Sequence, residues 1–150
     1  SMDATYAAYQ KGDHFRTSSG VTAGCSDCHL KNESNHFAGP IDYTALLIDK
    51  AIAGSKSLFG EIAGHLSTPE KQIEMRQEMA EAVHAQMMDR NWAACRGCHD
   101  VNRMYDPKRP MLGEIHRHMG PEAKNVDCLA CHPTAGHNYG YILKFDTAKK

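Results

Sequence analysis

Every cysteine in this sequence stands in the same five-residue pattern. The six cysteines form CSDCH (Cys25, Cys28, His29), CRGCH (Cys95, Cys98, His99) and CLACH (Cys128, Cys131, His132). Cys-x-x-Cys-His is the attachment sequence of c-type haem. Its spacing has a direct reason. Two thiols must reach the two vinyl groups of one porphyrin, and the next histidine must rise beneath the iron as its proximal ligand. The cysteines then become thioethers and are lost as redox thiols.

Two other readings fit less well. Structural zinc wants four ligands, commonly two Cys-x-x-Cys pairs, whereas here a histidine recurs at one offset and no fourth ligand recurs with it. A disulfide scaffold suits an even number of cysteines but leaves the three histidines unexplained. The pattern therefore predicts three covalently bound haem c groups, with His29, His99 and His132 as proximal ligands.

The chain holds 10 histidines, and those outside the motifs are His14, His36, His65, His84, His116, His118 and His137. Filling the three distal positions from this surplus would give bis-histidine, low-spin irons suited to electron transfer. An open position would instead suit chemistry on a small molecule. His137 lies too close in sequence to His132 to round the porphyrin edge and bind the same iron. Pro133 and Gly136 suggest a tight turn, so if His137 binds iron, that iron belongs to another motif.

The elements that must position these groups are helical. Residues 1–24 read as a brief helix and then a Gly/Ser-rich loop, and 41–53 as a helix broken at Gly54. The clearest helix spans about 69–91, with Thr68 as N-cap and Pro69 in the first turn. Ile73, Ala80, Val83, His84 and Met87 share one face of it, which predicts core packing. His84 on that face is open between an iron ligand and a neighbour of a haem. A short helix around 111–119 carries His116 and His118. No strand pattern of consequence is present, and the attachment sites are unevenly spaced, so the chain is not a tandem repeat. The expected fold is mostly α, a small multihaem cytochrome in which haems form the core of one domain, residues 1–150.

Composition agrees. Hydrophobic residues make up 41% and aromatic residues 7%, a thin supply for an all-protein core. A net charge of −1, from 17 basic and 18 acidic residues, offers no patch for nucleic acid or a membrane surface. No run approaches the roughly 20 apolar residues needed to span a bilayer, and the N-terminus lacks a secretory signal pattern. Haem c is attached outside the cytoplasm in bacteria, so the expected site is periplasmic and the sequence is expected to be a processed or excised form.

The order of features in YAAYQKGDHFRTSSGVTAGCSDCH (6–29), STPEKQIEMRQEMAEAVHAQMMDRNWAACRGCH (67–99) and NVDCLACHPTAGH (125–137) resembles the NapC/NirT/NrfH family of membrane-anchored multihaem quinol dehydrogenases. The resemblance implies that an N-terminal transmembrane anchor and a first haem motif would precede this segment, whose motifs then match the second to fourth of the family. It implies His14 as distal ligand of the Cys128/Cys131 haem and His137 as that of the Cys95/Cys98 haem. For the Cys25/Cys28 haem it leaves a residue soon after the motif. His36 is the choice there, with His118, His116 and His84 behind it.

The function expected is a relay of single electrons between redox partners, from a quinol-linked donor or another cytochrome to a terminal reductase, rather than an enzyme in its own right. The alternatives are a small multihaem reductase acting at one open iron, and the excised haem domain of a membrane quinol dehydrogenase.

Overall fold

A computed structural model describes residues 2–30, 40–120, 123 and 126–140. Among the described residues, seven α-helices and one 3₁₀ turn account for the regular structure, and there is no strand. Two helices are long: α3 (Pro40–Ile62) and α4 (Pro69–Asp89). Two are of intermediate length, α1 (Asp3–Gln10) and α6 (Pro110–Arg117). The remaining three, α2 (Cys25–His29), α5 (Ala93–Arg96) and α7 (Cys128–Cys131), are one-turn helices at the attachment motifs.

The start of α4 is the one the sequence predicts. Thr68 has extended backbone angles, its hydroxyl accepts from the Lys71 amide at 3.4 Å, and Pro69 occupies the first turn. Two expectations fail. α3 runs through Gly54 to Ile62, because one glycine costs a helix only about 1 kcal/mol relative to alanine. On α4, His84 is buried and Ala80, Val83 and Met87 are partly covered, but Ile73 is exposed. It lies in the first turns, before the helix reaches the attachment motifs.

Fully buried apolar side chains are few. Among the described residues they are Ala8, Leu46 and Trp92. α3 exposes Leu47, Ile48, Ile52, Leu58, Phe59 and Ile62. Protein–protein packing alone gives this chain little core.

The two ends of the described chain close on each other. The Asn138 amide donates to the Ala8 carbonyl at 2.9 Å, and a ring nitrogen of His14 bonds the Ala135 carbonyl at 2.6 Å. A Cβ on Gly12 would stand 2.9 Å from the Gly136 carbonyl oxygen, so the approach needs glycine at position 12. This crossing carries His14 and His137 into the midst of the attachment motifs.

A candidate multihaem centre

Each attachment helix is held from its N-terminal side. At α2 the Asp27 carboxylate accepts from the Gly24 amide at 2.7 Å. At α7 one oxygen of Asp127 accepts from the Ala130 amide at 3.0 Å. Its other oxygen lies 3.0 Å from Nε2 of the buried His84. α5 follows Trp92, which is 1% exposed and sits in the left-handed region at φ 57°. The Trp92 indole N–H donates to the Val126 carbonyl, and its ring lies 5.6 Å from that of His84. His84, Trp92 and Asp127 thus form one buried node joining α4 to the second and third motifs.

The motifs are gathered together. α2 packs against α5, and the thiols of Cys95 and Cys128 share a hydrogen bond. That bond pushes the Cys95 thiol up and draws the Cys128 thiol down. Burial first, and then Cys95, push the Cys28 thiol up to about 11. A cleft beside Cys28 is walled by Leu30, Met87, Trp92 and Ala93.

Each motif histidine has another imidazole facing it. The rings of His29 and His137 are 6.0 Å apart between centroids, those of His99 and His14 5.9 Å, and those of His132 and His116 6.2 Å. Two metal–imidazole bonds of about 2.0–2.1 Å in line, with half of each ring added, separate ring centres by roughly 6 Å. The three pairs therefore leave room for one iron each.

The outer nitrogens fit the same use. A metal-binding histidine generally donates its other ring N–H to a carbonyl or carboxylate, which fixes tautomer and orientation. Nδ1 of His14 lies 2.6 Å from the Ala135 carbonyl, and Nδ1 of His116 2.7 Å from the Leu112 carbonyl. Donation from Nδ1 leaves Nε2 bare to ligate. Nδ1 of His137 is buried and has no hydrogen-bond partner. Desolvation lowers the pKa of His29, His99 and His137, with His137 adding to the effect at His29, and His14 and His132 at His99. All three are thereby biased to the neutral form that binds metal. No cluster of three or more His, Cys, Asp or Glu side chains that could hold a metal ion occurs among the described residues.

These partners differ from those the resemblance implied. His14 faces His99 rather than His132, and His137 faces His29 rather than His99. His116 takes the place beside His132, whereas His118 is 79% exposed and lies 3.3 Å from Glu114. His84 is engaged with Asp127, and His36 lies outside the described residues. Tyr139, Arg76 and Trp92 were not singled out in the sequence. Only the position of Tyr139 two residues beyond His137 hinted at a role.

Residues 1–141 match the family profile described as NapC/NirT cytochrome c family, N-terminal region. The chain belongs to the NapC/NirT cytochrome c family. Its curated relatives include the cytochrome c-type protein TorC of Escherichia coli K12, 35% identical over 97% of this chain and 36% of that protein. The cytochrome c-type protein NapC of Haemophilus influenzae is 32% identical over 91% of the chain and 62% of its own length. A putative tetraheme cytochrome-c type protein of Allochromatium vinosum is 30% identical, over 91% and 68%. The chain thus spans little more than a third of TorC and under two thirds of NapC. No solved structure matches. Membership of the NapC/NirT family makes this chain a c-type cytochrome with covalently attached haem. Among the described residues no helix is long and apolar enough to cross a membrane.

Proposed function

We propose that residues 1–150 form one triheme domain that passes single electrons between periplasmic redox partners. The observation that carries this reading is the set of three facing imidazole pairs, one at each Cys-x-x-Cys-His motif.

Bound haem supplies an iron that alternates between ferric and ferrous states, one electron at a time. The protein does the rest. Cys25 and Cys28, Cys95 and Cys98, and Cys128 and Cys131 tether the porphyrins. His29 with His137, His99 with His14, and His132 with His116 would hold the irons, two imidazoles to each, which suits electron transfer rather than chemistry on a small substrate. The contact between Cys95 and Cys128 would keep the second and third groups close to each other, a short path for an electron. His84, Trp92 and Asp127 keep that path short. The wall of Leu30, Met87, Trp92 and Ala93 beside Cys28 would give the nearest porphyrin an apolar cover.

The donor is quinol-linked, either an anchored part of the full-length protein or a separate quinol-oxidising membrane subunit. The acceptor is a terminal reductase or another cytochrome. Intact-mass measurement and optical spectroscopy test the reading together. Three haem increments, a low-spin reduced spectrum and no response to carbon monoxide are expected. A high-spin spectrum, or turnover of nitrite, hydroxylamine or sulfur oxyanions at an open iron, would overturn it in favour of a small reductase.

A further inference from the structure

The two residues between the cysteines of each motif take no part in attachment, yet they differ in charge. CSDCH carries Asp27, CRGCH carries Arg96, and CLACH carries no charge there. Each of these side chains stands in the loop that two thioethers tie to one porphyrin. Covalent structure therefore keeps it near one iron, whichever histidines complete the ligation.

Arg96 is fixed in place. Its Nε donates to the Asn91 carbonyl at 2.9 Å and its Nη1 to the Met119 carbonyl at 2.8 Å. Nη2 is buried and has no hydrogen-bond partner. Among the described residues the guanidinium thus meets backbone carbonyls and no carboxylate that would offset its charge. A buried charged donor without an acceptor is costly, so a native chain keeps one only for a use. The charge is felt at two attachment sites. The Cys128 hydrogen bond and burial push the Cys95 thiol up, and Arg96 opposes them. At Cys128 it adds to the lowering that the Cys95 bond begins. Asp27 has the opposite sense at the first motif, where it follows burial and Cys95 in pushing the Cys28 thiol up. Two more carboxylates lie beside the motifs, each already engaged. Asp127 serves His84 and the Ala130 amide, and the exposed Asp100 accepts from the Asn102 amide at 3.0 Å.

We infer that the charges inside the attachment loops set the irons apart, Arg96 raising the reduction potential at Cys95/Cys98 and Asp27 lowering that at Cys25/Cys28. The inference rests on haem being attached at these motifs, and not on which histidine pairs with which. The oxidised iron carries one positive charge more than the reduced iron. A fixed cation nearby therefore favours reduction, and a fixed anion opposes it. At roughly 12 Å and an effective dielectric of about 20, one charge changes the ratio of reduced to oxidised iron about tenfold. For a one-electron couple, tenfold corresponds to about 59 mV. Asp27 is more open to water, and screening reduces its effect to about threefold. Because α2 packs against α5, and Cys95 bonds Cys128, the site that Arg96 favours lies between the other two. Both charges draw the electron toward the middle of the relay.

The test is a potentiometric titration of the haem-loaded protein, read by nuclear magnetic resonance of the haem methyl groups. Each haem is then assigned through its own thioether cysteines. R96Q should lower the midpoint at Cys95/Cys98 by the equivalent of about tenfold in occupancy. The shift should be smaller at Cys128/Cys131 and absent at Cys25/Cys28. R96K keeps the charge and should stay within about twofold of the parent. D27N keeps an acceptor for the Gly24 amide and should raise the Cys25/Cys28 midpoint alone, by about threefold. Should R96Q not accept haem, R96M set against R96K makes the same comparison. An unmoved midpoint in R96Q or in D27N would overturn the inference. So would an equal fall in R96Q and R96K, or shifts spread evenly over the three haems. None of these results touches the number of haems or their low-spin state, which test the relay itself.

Discussion

The ring planes of His14 and His99 stand at 83° to each other, while those of His29 and His137 meet at 41° and those of His116 and His132 at 34°. Under the proposed ligation, these angles would be the twist between the two imidazoles of each iron. Near-perpendicular rings leave two iron d orbitals almost equal in energy, and more nearly parallel rings split them. The oxidised protein should therefore give one highly anisotropic low-spin resonance of large maximal g and two rhombic ones. Three rhombic signals at helium temperature would contradict the geometry.

H14M tests the pairing of the chain ends with the motifs. The large-g signal should vanish and both rhombic signals persist, because His14 faces His99. The arrangement implied by family resemblance makes the opposite forecast, in which the iron of Cys128/Cys131 changes.

His116 and His118 offer a contrast within one helix end. H116A should open the iron at His132, seen as a high-spin fraction and binding of carbon monoxide by about one haem in three under the proposed stoichiometry. H118A removes only an exposed ring beside Glu114. It should leave the spectrum unchanged and shift stability within about 0.5 kcal/mol. Reversal of the two outcomes would show that α6 presents its other histidine.

The buried node makes a prediction about stability rather than ligation. H84L strips a hydrogen bond from the Asp127 carboxylate, which also caps α7. Loss of a buried partner of that kind costs about 1–3 kcal/mol. Denaturant unfolding of the haem-loaded protein should register this, while the fraction of low-spin iron stays complete. A new high-spin species in H84L would instead make His84 a ligand.

Much of this was legible in the residues. The three motifs name the cofactor chemistry because only one purpose needs two thiols and a histidine at that spacing. Thr68 and Pro69 mark the start of α4 because capping is local. Which histidine meets which motif was not legible, since it depends on a backbone crossing between residues 12 and 136. The choice between His116 and His118 was equally hidden. It turns on helix phase: the ring that can reach back to the Leu112 carbonyl faces inward, and the one at the frayed end does not. Gly54 misled for the opposite reason, its local cost being too small to stop a helix of 23 residues.

The clasp between the Gly12 and Gly136 segments has a consequence for assembly. A chain threaded across a membrane N-terminus first presents Cys25 and Cys28 to the attachment machinery early. His137, the ring that faces their histidine, emerges after every other motif. The first porphyrin to be tethered would then be among the last to gain both axial ligands, and only once the tail has folded back onto α1. Complete ligation at the first motif would thus report that the chain has arrived as far as His137.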